Sequence, residues 1–380
     1  MKLSADEDAL TCSRCGYCNA VCPTFGEFGW ESGSPRGWIY HTNRLNLDKS
    51  QLEPAYAKRV FQCTLCGHCK VVCQSRIDTL SLWKTLRSRA GAKGLWPDPV
   101  TELNRVTLNY KNPYRVQNTD RNLWAFDIED LIAPRVGRRA KIAYFVGCTA
   151  SLMGRLAGVP NSMVKILEKT GVDYTLLGPE EWCCGSPMLL MGEDPHVLVK
   201  HNVEELRRLG VETVVTTCAG CYRALAQDYP RVYGEDLRFE ILHSSQFLAR
   251  LIDLDRIRLS NNPPGLSVTY HDPCELGRHC GVFEEPRRVL ESVSGLRFTE
   301  LPKSRESTLC CGGGGLLKVS NPRMALSIGS RKILEAAQTE TQSVVSGCPA
   351  CELNIQESAA DSGSLVRILD IVEVVAEAVL

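Results

Sequence analysis

Nineteen cysteines stand in a chain of 380 residues, and their spacing is the first chemistry the sequence offers. Cys12, Cys15, Cys18 and Cys22 follow one another closely, with Pro23 behind them. Cys63, Cys66, Cys69 and Cys73 repeat the same intervals, with Gln74 in place of the proline. Three thiolates at this spacing can wrap one 4Fe–4S cube while the fourth reaches across to a neighbouring cube. By that rule Cys12, Cys15, Cys18 and Cys73 hold one cubane, and Cys63, Cys66, Cys69 and Cys22 hold the other. Zinc is the competing reading, but zinc takes cysteines as two separated pairs instead of three in succession. Gly16 and Gly67 leave room for bare backbone near cluster sulfide and offer it N–H groups.

Ten further cysteines form a repeat. Cys148, Cys183, Cys184, Cys218 and Cys221 recur in the same order as Cys274, Cys310, Cys311, Cys348 and Cys351, some 126 to 130 positions on. Matched features in one order establish a duplication. Adjacent thiolates such as Cys183 and Cys184 cannot comfortably bind separate corners of one small cube, but they suit a larger or more open cluster. Gly185, and Gly312 and Gly313 within a run of four glycines, allow backbone to lie against it. That run lacks the lysine and hydroxyl of a phosphate loop. His271 and Asp272, just before Cys274, could tune its sulfur or relay a proton. His279 could protonate a leaving thiolate, and a single structural hydrogen bond is the plain alternative for each. Cys280 is the odd cysteine, read as a buried spectator.

The elements that position these residues are legible in outline. Residues 55–61 and 78–89 read as helices around the second run, residues 30–37 as a loop in which Arg36 faces water, and residues 90–140 as a poorly periodic connector. Strand-like pieces at 141–147, 172–177 and 212–217 are apolar and β-branched, as buried parallel strands are. Helices follow at 159–170 and 195–209, and the stretch 364–380 reads as an amphipathic helix. The expected fold is α/β plus α: a helical ferredoxin domain over 1–95, a connector over 96–140, and two Rossmann-like units over 141–258 and 259–380. Their cysteines sit at the carboxyl ends of strands, where open sheets place ligands.

Composition narrows the classes. Lys plus Arg and Asp plus Glu are 44 each, so no general basic surface invites nucleic acid. Residues 1–140 carry a net +6 and residues 141–380 a net −6. The longest charge-free runs, Ile142 to Gly154 and Leu259 to His271, fall short of the roughly 20 residues that span a bilayer. The N-terminus is acidic where an export signal is basic. The expectation is a cytoplasmic chain that reaches a membrane only through a partner, and in such a compartment cysteines serve metals better than disulfides.

Together these motifs resemble a two-cluster α-helical ferredoxin joined to a doubled cysteine-rich CCG domain. That is the arrangement of the family of heterodisulfide reductase D subunits and of glycolate or lactate oxidase iron–sulfur subunits. The resemblance takes in 18 of the 19 cysteines. It implies two noncubane 4Fe–4S clusters, five cysteines apiece, beside the two cubanes. It also implies an oxidoreductase subunit in which electrons pass from the cubanes to the first CCG unit and then to the second. There, with Cys274, Cys310, Cys311, Cys348, Cys351, His271 and His279 at the site, a disulfide is reduced or two thiols are oxidised. The implied partner is a flavoprotein, either one like the reductase's A subunit or an FAD oxidase. The alternative is an electron conduit for such a flavoprotein with no substrate of its own.

Overall fold

The computed structural model describes residues 5–47, 52–260 and 265–379. Residues 1–4 of the acidic N-terminus and 261–264 of the second charge-free run lie outside them.

The described residues up to Ala92 are helical, with no strand among them. Thr79–Ala92 is the organising helix: Asp78 caps it by accepting the Ser81 N–H, and Leu82, Trp83, Leu86 and Ala90 give it a buried face. Trp83 meets Trp38 of the helix Pro35–Leu47 edge-on, with ring centres 5.1 Å apart. That second helix corrects the loop reading of 30–37, since Pro35 opens it, as proline does at a first turn. Arg36 does not simply face water there. Its guanidinium pairs with Glu31 and lies against Gly16. The region 90–140 is also more regular than expected: Asp98–Tyr110 is an amphipathic helix, and residues 118–132 form short helical turns.

Two parallel sheets follow. The strands β1 (Ile142–Phe145), β2 (Tyr174–Leu176), β3 (Thr213–Thr216) and β4 (Glu240–His243) lie in the order 2-1-3-4. The strands β5 (Ser267–Tyr270), β6 (Arg297–Phe298), β7 (Ser343–Ser346) and β8 (Arg367–Asp370) repeat it as 6-5-7-8. In each sheet the chain leaves its first strand toward one edge and returns to the other side. That change of direction opens a crevice at the carboxyl ends of the two central strands. Cys148 follows β1, Cys218 follows β3, Cys274 follows β5 and Cys348 follows β7.

β8 lies inside the stretch expected to be a C-terminal helix. Arg367 to Asp370 pair with β7, and the helix proper, Ile371–Ala378, starts only where Asp370 and Glu373 form a capping box. The two units are not separate bodies. Tyr144, Val215, Val268 and Val345, one from each central strand, belong to a single continuous core. Among the described residues, no helix is long and apolar enough to cross a membrane.

Candidate functional site

The eight ferredoxin-type cysteines fall into two groups by position. Cys22 shares one compact cavity with Cys63, Cys66 and Cys69, away from the rest of its own run. Cys18 has Cys69 first among its charged neighbours, followed by Cys12, Cys15 and Cys73. Cys22 thus sits with the second run, and the two groups adjoin at Cys18 and Cys69. Backbone N–H groups point at the sulfurs: Phe25 at Cys22 (3.4 Å), Leu65 at Cys63 (3.3 Å) and Ile77 at Cys73 (3.4 Å). Such donors favour a thiolate, the ligating form. Burial pushes the Cys18 and Cys69 thiols up to about 12. Cys15 is exposed and is lowered, chiefly by the Tyr17 N–H.

The second set of ten converges. All five cysteines of the first CCG unit and Cys274, Cys311, Cys348 and Cys351 of the second line one cavity of about 350 Å³. The two sets adjoin, because Cys218 and Cys348 are neighbours in the cavity wall and perturb each other's thiols. Cys311 Sγ and Cys351 Sγ are 3.1 Å apart, and all nineteen thiols are free. The tenth cysteine, Cys310, packs with Cys66 of the ferredoxin run in one buried cluster. Apolar side chains complete the wall, among them Leu103, Leu190, Leu316, Val319 and Leu353, with Lys318 as the cation there. Nine buried thiols around one cavity are poor core and good soft-metal ligands, so this donor set fits iron–sulfur. Cys148 is pushed well up and Cys184 is lowered to about 6, each chiefly by its neighbour Cys183.

The glycines behave in two ways. Gly16, Gly67 and Gly185 each adopt a left-handed conformation at the start of a short helix. At Gly312 and Gly313 the space a side chain would fill belongs to protein: a Cβ would come within 2.2 Å of the Ala325 carbonyl and 2.7 Å of the Ala350 carbonyl. Glycine there lets the Cys310–Cys311 turn press onto two helices.

The histidines part company. His271 is buried with both ring nitrogens unpartnered, and a ring nitrogen lies within 4.8 Å of Cys311 and Cys351 sulfur. Burial pulls it down to about 3, so it is neutral. His279 is not among the residues lining the cavity. Its Nε2 meets the Leu65 carbonyl at 3.1 Å, which is the structural alternative. Asp272 is occupied by Arg287 at 2.8 and 3.0 Å and by the Arg305 N–H. Cys280 lies outside the cavity beside Gln227, its thiol raised to about 12 by burial.

Three features were missed in the sequence. Arg87, wholly buried, donates to the carbonyls of Val60, Cys63, Leu190 and Gly315, joining the ferredoxin helices to both CCG units. Arg121 and Glu181 form a buried pair at Cys148. Glu352 accepts the Cys348 N–H at 3.0 Å and faces Asp370, whose carboxyl burial raises to about 8. Glu181, two residues before Cys183, and Glu352, next to Cys351, stand beside candidate ligands in the sequence, whereas Arg87 and Arg121 do not.

The chain matches the family described as a cysteine-rich domain twice, over residues 142–226 and 268–356, and that of a 4Fe–4S dicluster domain over residues 8–77. It is 36% identical to the D subunit of the dihydromethanophenazine:CoB–CoM heterodisulfide reductase of Methanosarcina barkeri, over 97% of this chain and 93% of that one. The B subunit of the fumarate reductase (CoM/CoB) of Methanothermobacter marburgensis is 31% identical over 95% of this chain and 71% of that one. The EtfAB:quinone oxidoreductase of Syntrophomonas wolfei is 28% identical over 97% of this chain and 58% of that one. At this identity and coverage, on top of a shared cysteine framework, the chain belongs to the family of heterodisulfide reductase D subunits.

Proposed function

We propose that this chain is the iron–sulfur subunit of a heterodisulfide-reductase-type complex that reduces a disulfide or, in reverse, joins two thiols. The observation that carries the reading is the single, largely apolar cavity ringed by cysteine sulfurs of both CCG units. Cys12, Cys15, Cys18 and Cys73, and Cys63, Cys66, Cys69 and Cys22, would hold two cubanes. Each CCG unit would supply five cysteines to a noncubane 4Fe–4S cluster. Such clusters, when bound, supply one-electron carriers, two of which meet the two-electron demand of an S–S bond.

The protein does the rest. The cavity removes the sulfur substrate from water, and its leucines favour an apolar arm beside the disulfide. The Cys66–Cys310 contact sets the ferredoxin run against the second CCG unit. Delivery therefore favours the second unit first, the reverse of the order expected from the sequence. We read the chain as four segments, 1–95, 96–140, 141–258 and 259–380, with the last two Rossmann-like. We assign the partner as a flavoprotein subunit, through which any attachment to a membrane would be made.

A Cys311→Ser variant should lose disulfide turnover while keeping both cubane EPR signals; unchanged turnover would refute the assignment. The kinship to an EtfAB:quinone oxidoreductase favours one second reading, an electron conduit without a substrate. On that reading the isolated, cluster-replete chain with an artificial reductant turns over no disulfide.

A further inference from the structure

The strand-end cysteines of the two CCG units have different neighbours. Cys148 is met by Arg121, whose two terminal nitrogens lie 3.4 and 3.6 Å from its sulfur. The same guanidinium pairs with Glu181 at 2.6 Å, and the two side chains are 2% and 1% exposed. Glu181 also accepts the N–H groups of Val146 and Gly147 at 2.8 Å each, which anchors the pair to the end of β1. A buried guanidinium already paired with a carboxylate has no need of a sulfur for its own stability. Here two of its nitrogens are nonetheless turned to one.

The second unit lacks this arrangement. Among the described residues, no arginine or lysine reaches the Cys274 sulfur in this way; the charged neighbours of that thiol are Cys310, Glu275, Cys66 and Cys311. The buried arginine of the second unit, Arg287, is taken up by Asp272, Glu300 and the Phe283 carbonyl. The second unit's buried lysine, Lys332, pairs with Glu335 at 2.6 Å and neighbours Cys311, not Cys274. The difference is therefore one of positive charge at the two equivalent strand-end cysteines.

N–H donors and positive charge at a ligating sulfur stabilise the reduced cluster, which carries one more negative charge, and so raise its reduction potential. We propose that Arg121 is a positioning residue that makes the cluster site of the first CCG unit a better electron acceptor than that of the second. An electron delivered at the Cys66–Cys310 contact then runs on to the first unit across the Cys218–Cys348 contact, and the two sites flank the cavity in unequal states. This rests on the reading of both CCG units as cluster sites.

The test is an anaerobic redox titration of the full chain, followed by EPR, with iron counted per chain. The double variant Arg121→Gln/Glu181→Gln removes both charges, so neither is left buried alone. Arg121→Lys keeps the charge but not the fork, and it carries the test should the double variant not fold. Expected is wild-type iron content, with one noncubane signal harder to reduce by about tenfold, which is about 59 mV for a one-electron couple. The lysine variant should shift the same signal by less, and the cubane signals should stay in place. Unchanged potentials with full iron would overturn the proposal. Loss of about four irons would do so as well, since it makes Arg121 part of site assembly. A wild-type chain with only cubane signals would overturn the underlying reading itself, before any variant is compared.

Discussion

The two CCG units share a strand order and a cysteine order, yet they differ at several places where something from outside the ligand set touches them. In the first, Arg121 from the connecting segment reaches Cys148. In the second, Cys66 from the ferredoxin run reaches Cys310, and an unpartnered His271 faces Cys311 and Cys351. The edge strands end differently too. β4 ends in His243 and β8 in Asp370, and each opens the next helix with a capping box. His243 Nε2 donates to the Gly347 carbonyl at 2.9 Å, while Asp370 faces Glu352. Duplication thus preserves the donors a cluster needs, whereas the surroundings that set each site's role are recruited separately.

One residue treats the units alike. Arg87 donates to the Leu190 carbonyl of the first and the Gly315 carbonyl of the second, at 2.7 and 2.9 Å, as well as to its own domain. Arg87→Met should therefore give the largest effect on stability. Several buried carbonyls lose their donor, at roughly 1–3 kcal/mol each, and a lowered melting temperature of the holoprotein would report it. A drop in melting temperature no larger than that of a surface variant would show that the ferredoxin helices dock independently of this arginine.

The strand-end caps separate the units by pH. Burial lowers His243 from 6.5 to about 4, so the first unit is fully stabilised above pH 6.5 and loses that stability as pH falls toward 4. Burial raises Asp370 from 3.8 to about 8, so the second unit is fully stabilised below pH 3.8 and weakens as pH climbs toward 8. His243→Asn should flatten the acid side of a melting-temperature profile and Asp370→Asn the alkaline side, since asparagine can still cap. If either variant flattens both sides, the two caps are not independent.

The smallest effect is expected at Cys280. Cys280→Ala should leave iron content and disulfide turnover at wild-type levels and change stability by less than about 0.5 kcal/mol. Loss of iron on that change would return Cys280 to the ligand set and break the equality of five cysteines per unit.

The candidate ligands were legible in the sequence because cluster chemistry demands one residue type at short, repeated intervals, which stand in the chain whatever the tertiary context. The sequence disclosed a central strand of each sheet because the β-branched pairs Val214-Val215 and Val344-Val345 stand at matched positions just before a repeated cysteine. β8 was hidden because Ile368 continues into Val372, Val375 and Val379 at helical spacing, so a four-residue strand merged with the helix behind it. Arg121 and Glu181 lie 60 positions apart, and Glu352 meets Asp370 only once β8 pairs with β7. No local pattern marks such partners, because tertiary packing creates them.

The central claim is that both CCG units carry clusters around one cavity. The most direct measurement is the iron and acid-labile sulfide content of the anaerobically purified chain, with Mössbauer spectra to sort cluster types. About 16 irons per chain are expected, half of them outside the cubane pattern. About 8 irons, all cubane, would contradict it.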